Sequence, residues 1–94
     1  VQIFDENGKF LDQWTHLGSP WGLYLTSDQQ LFMCDGYKNR VLKLDLKGRV
    51  LGVLGQPGKM PGQFSFPHHL AMGKNGELYV AEVLNWRVQK FLLK

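Results

Sequence analysis

The chain repeats itself, and this self-similarity limits its fold more than any other feature. Asp35-Gly36-Tyr37-Lys38-Asn39-Arg40-Val41-Leu42-Lys43-Leu44 aligns with Glu82-Val83-Leu84-Asn85-Trp86-Arg87-Val88-Gln89-Lys90-Phe91, an offset of 47 residues (35 to 82). Upstream, Pro20-Trp21-Gly22-Leu23 aligns with Pro67-His68-His69-Leu70 at the same offset, and so does Leu31–Asp35 with Leu78–Glu82. A partial third copy opens the chain: Val1-Gln2-Ile3-Phe4-Asp5 aligns with Val41-Leu42-Lys43-Leu44-Asp45 at an offset of 40 (1 to 41). A longer loop, Gln56 to Phe66, makes up the difference. The repeats therefore run over approximately 1–19 (partial), 20–66 and 67–94 (partial). A period of this size marks units that cannot bury their apolar faces alone and must stack.

Each unit reads as four short strands punctuated by turns. The first is Leu23–Leu25 or Leu70–Met72, and the second Leu31–Cys34 or Leu78–Ala81. The third is Val41–Leu44 or Val88–Phe91, with Val1–Phe4 as its copy; the fourth is Val50–Leu54, with Phe10–Trp14 as its copy. Helical periodicity is absent, and eleven glycines with four prolines supply the many turns that short strands need. The predicted class is all-β. Repeats of about 40–50 residues with four antiparallel strands describe β-propeller blades, two of them in this chain. Two blades cannot close a ring. Further blades must come from a longer chain or from further copies, and the third and fourth strands at the start can meet the first three strands of another chain's end.

Other classes find little support. No apolar stretch approaches the ~20 residues of a membrane span, so no membrane partner is predicted. The lone Cys34 excludes an internal disulfide, leaves the compartment open and reads as core. The net charge of +3 is scattered, and Lys38, Arg49 and Lys59 lack an aromatic stacking platform, which speaks against nucleic acid. A Ser/His/Asp set, a phosphate loop and a Cys-rich metal motif are all missing.

Pro67-His68-His69-Leu70, Leu78-Tyr79-Val80-Ala81-Glu82 and Arg87-Val88-Gln89-Lys90-Phe91 resemble the NHL repeat, over the full length of the chain. The acid after the second strand (Asp35, Glu82) and the arginine before the third (Arg40, Arg87) suit a charge-assisted structural pair that pins the turn. NHL propellers are commonly six-bladed, so the resemblance implies a ring of three two-bladed chains, a homotrimer. It also implies that Trp21 and His68, each following a proline at the start of a first strand, line the central channel.

Within that family, Gln63 to Ala71 and Asp35 to Asn39 are similar to the peptidyl-α-hydroxyglycine α-amidating lyase type. That resemblance implies a zinc site in which His68 is a metal ligand, shared between chains, and Tyr37 is catalytic. A zinc site needs about three protein ligands, which three-fold symmetry would supply from one His68 per chain. The position that holds a substrate-binding arginine in the lyases is Val83 here. The plainer readings are Tyr37 as turn packing, His68 as a water-bonded channel residue, and His69 as packed into the sheet or the neighbouring blade. His16 reads as solvated, and Trp14, Trp21 and Trp86 as inter-blade packing. Three functions stay open: an NHL scaffold or binding module for a peptide or protein, a zinc-dependent amidating-lyase-like enzyme, and an RNA-binding NHL domain.

Overall fold

The computed structural model describes residues 1–93. Its strands are β1 (Gln2–Phe4), β2 (Phe10–Gln13), β3 (Pro20–Leu25), β4 (Leu31–Asp35), β5 (Arg40–Leu44), β6 (Val50–Leu54), β7 (Pro67–Met72), β8 (Glu77–Glu82) and β9 (Arg87–Leu92). They form three antiparallel meanders: β1-β2, β3-β4-β5-β6 and β7-β8-β9. The all-β expectation holds, and the sheets are blade-like: half a blade, a whole blade, and a blade with its first three strands. The first strands begin three residues before the expected Leu23 and Leu70, because Pro20 and Pro67 already pair with Asp35 and Glu82 of the second strands.

Packing follows from alternation in the strands. In β4, Phe32 and Cys34 face the following blade and Met33 faces the preceding half-blade; all three are buried. One core joins Phe32, Cys34 and Val41 to Phe64, Leu70, Leu78 and Val80 of the last blade. The other joins Met33, Leu42 and Leu44 to Trp14 and Leu17, with Val1 and Ile3 beside them. The middle blade is thus covered on both faces, so β4 and β5 lose the apolar–polar alternation of half-buried strands.

The turns between third and fourth strands repeat one device. Asp5 Oδ1 accepts the Asn7 and Lys9 amides, and Asp45 Oδ1 accepts the Lys47 and Arg49 amides, all at 2.9 Å. Gly48 completes the second turn at φ 82°, where a Cβ would also sit 2.7 Å from the Trp14 ring. Only glycine meets both demands.

Candidate functional site

The residues of interest gather where the inner strands of the two larger blades begin. β3 pairs Pro20 with Asp35 and Gly22 with Cys34, which leaves Trp21 as an extra residue; β7 pairs Pro67 with Glu82 and His69 with Ala81, which leaves His68. Each is the odd residue of a β-bulge, and a bulge re-aims its side chain out of the regular alternation. Both bulges follow a proline, which cannot donate to the ladder and is found at strand starts and bulges.

The inner strands then approach closely enough for the bulged side chains to meet. A Cβ on Gly22 would lie 2.4 Å from the His68 carbonyl oxygen, so the two backbones meet only because position 22 is glycine. A Cβ on Gly36 would lie 2.3 Å from the Trp21 ring, so Gly36 supplies the floor on which the indole rests. The resulting cluster joins Trp21 to Tyr37 (ring centroids 5.7 Å apart), to Phe66 (5.4 Å) and to His68 (5.1 Å). Tyr37 and Phe66 meet at 5.2 Å. Trp21, Tyr37 and Phe66 are mutually edge-to-face at 74–75°. Rings this close fill the space between them, so they form a raised platform and not an open cage for a cation. Tyr37 is 67% and Trp21 38% exposed, which leaves the outer side of the platform in water.

Opposite the prolines of the two bulges stand two acid–arginine pairs whose carboxylates are fully buried. Asp35 accepts Arg40 Nε at 2.8 Å and the Ser19 amide at 2.9 Å. Glu82 accepts Arg87 Nε at 2.6 Å, Asn85 Nδ2 and Gln89 Nε2 at 2.8 Å, and the Ser65 amide at 3.1 Å. Burial alone would push the Glu82 carboxyl up, but the donors from Arg87, Asn85, Gln89 and Ser65 together outweigh it and hold the group below its ordinary range.

Arg87 also donates to the carbonyls of Lys59 (2.8 Å), Met60 (3.2 Å) and Gln63 (2.9 Å), and Asn85 donates to that of Gly58 (3.0 Å). The long loop is thereby tied to the last blade. A further bond crosses the blade junction: the Phe66 amide donates to Asn39 Oδ1 at 2.7 Å. Both residues have left-handed backbones, φ 60° and 57°.

His68 and His69 stack at 5.0 Å and 12°, with their Nδ1 atoms 2.9 Å apart. One ring must donate and the other accept. His69, expected inside the sheet packing, is exposed instead. Trp86, expected in inter-blade packing, is 92% exposed, because no further blade covers that face among the described residues. His16 is exposed as well, yet its Nε2 lies 2.8 Å from the Gly48 carbonyl oxygen. Trp14 and Cys34 are buried in the two cores.

Trp21, Tyr37 and His68 therefore meet at one place. Asp35 pairs with Arg40 and Glu82 with Arg87, at the ends of the strands that face Pro20 and Pro67. Val83 is exposed. Sequence reasoning missed Phe66, Asn39, Asn85 and Gln89. The last two had a visible signal: Asn85 in the turn before β9 and Arg87 and Gln89 within it recur every second residue, and all three donate to Glu82. Phe66 and Asn39 had none, because their contact crosses between blades.

Among the described residues no group of three or more His, Cys, Asp and Glu side chains is placed to hold a metal. No protein-family model matches the chain. Human (Homo sapiens) NHL repeat-containing protein 3 is 30% identical over 76 residues, which cover 78% of this chain and 22% of that protein. The Mus musculus protein of the same name gives the same identity and coverage. The protein SUPPRESSOR OF QUENCHING 1, chloroplastic, of Arabidopsis thaliana is 35% identical over 77 residues, covering 73% of this chain and 7% of that protein. The chain thus spans about a fifth of the length of the first two relatives. Repeat, blade topology and sequence likeness agree: the chain is similar to NHL-repeat proteins, and the likeness stops short of the amidating-lyase type.

Proposed function

We propose that this chain is part of an NHL-type β-propeller that serves as a scaffold and binding module, and that it engages a peptide or protein through the Trp21–Tyr37–Phe66–His68 platform. The observation that carries the reading is the exposed aromatic cluster built across the blade junction by two β-bulges. Large rings that stay wet on one side while locked on the other are the usual anchors of binding faces, since little side-chain entropy is left to lose. The reading is tested by selecting binders from a displayed random-peptide library on the folded chain. Binders are expected to weaken on Trp21→Ala and Tyr37→Ala and to persist on Trp86→Ala. Binders that depend on Trp86 and ignore Trp21 and Tyr37 would overturn it.

The same reading includes ring closure. The last blade turns an uncovered face to water through Val88 and Trp86, and the half-blade does so through Phe4 and Phe10. Three copies giving six blades is the arrangement we favour. β1 and β9 occupy the same place in the repeat, so a mixed blade would use one of them and displace the other. Mass in solution tests this directly: a chain that stays monomeric at high concentration rules out closure by copies.

A metal reading comes second and rests on the His68–His69 contact. With Nδ1 engaged by His69, His68 keeps Nε2 for an outside partner, and a ligating histidine is normally oriented through its other nitrogen in this way. One chain falls short of the ligands that zinc requires. Zinc content of a purified assembly, with and without His68→Ala, tests it. Absence of bound zinc in a zinc-supplemented trimer would end this reading.

A further inference from the structure

At the opposite end of the same blade junction lies a cleft of about 810 Å³, between the β3–β4 turn (residues 26–30) and the β7–β8 turn (residues 73–76). Its walls include Lys43 of β5, Lys74 of the last blade's turn, Asp28, Tyr24 and Met72. We propose that this cleft binds a small anionic ligand with an apolar body, its acidic group held between Lys43 and Lys74 and its body lying against Tyr24 and Met72.

Three observations lead there. The volume lies within the range of about 300–1,000 Å³ typical of small-molecule sites. Neither lysine makes an ion pair or a side-chain hydrogen bond among the described residues, whereas the carboxylate in the same wall is already occupied. Asp28 Oδ1 accepts the Thr26 hydroxyl, and Oδ2 accepts Gln30 Nε2 at 2.8 Å. The lining therefore carries two lysines without an ion-pair or hydrogen-bond partner among the described residues, beside one carboxylate, Asp28, that its bonds to Thr26 and Gln30 and the charge of Lys43 hold below its ordinary range. Glu77 does not line the cleft, but its carboxylate lies behind the lining residue Gly73 with Oε1 buried and without a hydrogen-bond partner among the described residues, so an acidic group backs the wall on that side.

The third observation is a comparison that the repeat itself provides. At the preceding junction the position of Lys43 is held by Ile3, and the position of Lys74 by Ser27. The fold forms that junction without either charge. The two lysines are therefore no requirement of blade stacking, and two blades each supply one. A phosphate and a carboxylate would both satisfy this chemistry, since each offers oxygens to two ammonium groups.

Amide ¹H–¹⁵N spectra of the whole chain, titrated with phenyl phosphate, benzoate and benzylamine, test the proposal. The two anions should shift the amides of Ser27, Lys74 and Gly76 saturably, and their relative strength distinguishes phosphate from carboxylate. Benzylamine should not shift them. Lys74→Gln in an exposed turn and Lys43→Gln at a half-buried position of β5 should weaken binding about tenfold together. Three outcomes would overturn the proposal: no saturable shift with either anion, equal binding by benzylamine, or unchanged binding in the double variant. Shifts confined to Trp21, Tyr37 and Phe66 would likewise overturn it, placing the anion on the platform at the other end.

Discussion

Asn39 and Trp86 hold the same place in successive repeats and the same left-handed backbone, φ 57° and 53°, yet only Asn39 is engaged. Asn39 Oδ1 accepts the Phe66 amide across the blade junction, while Trp86 stands 92% exposed. Replacing Asn39 by glycine keeps the backbone free to adopt its φ and removes only the acceptor. It should cost about 1–3 kcal/mol, because a partly buried amide loses its partner. Chemical denaturation checks this; a change below a few tenths would show that water replaces the bond.

Trp86→Asn tests the other half of the comparison. A bulky residue in the left-handed region carries a cost that asparagine largely avoids, and an exposed ring returns almost no burial energy. The isolated chain should gain about 0.5–1 kcal/mol. Lower stability would mean that the indole is covered in solution.

The Glu82 network gives a prediction in pH. Its carboxyl is held below the ordinary 4.5, so the folded chain binds fewer protons than the unfolded chain in that region. The stabilisation is fully present above pH 4.5 and fades as pH falls through the lowered value. Arg87→Ala leaves a fully buried carboxylate short of its cation and should cost about 3–5 kcal/mol. Denaturation curves from pH 7 to pH 3 check both statements. A slope through acid pH that Glu82→Gln leaves unchanged would assign the acid loss elsewhere.

Gly36→Ala should move Trp21. The added carbon would sit 2.3 Å from the indole, so the ring must leave its seat between Tyr37 and His68. The Trp21 indole N–H resonance should shift and those of Trp14 and Trp86 should not. Peptides selected on the platform should weaken with it.

Cys34 should be silent toward thiol reagents in the folded chain. Burial pushes its thiol up to about 12, so almost no thiolate exists at neutral pH, and the side chain is fully enclosed. A colorimetric thiol assay should read close to zero before denaturant and one equivalent after. Fast labelling without denaturant would show that the two larger blades part readily in solution.

The number of strands, their order and their grouping were legible in the amino-acid sequence, because each depends on contacts within one repeat. The glycine turns, the short apolar runs of the strands and the acid–arginine spacing are local, and the 47-residue period repeats them. It also placed Trp21 and His68 at corresponding positions. What it could not determine is that Trp21, Tyr37, Phe66 and His68 touch. That depends on how near the inner strands of two blades come, a distance governed by Gly22 against the His68 carbonyl and by two bulges that no periodicity records. Tertiary structure likewise decided the fate of the tryptophans. Trp14 is buried because the middle blade lies over it, and Trp86 is exposed because burial of a blade face belongs to its neighbour and not to its own residues.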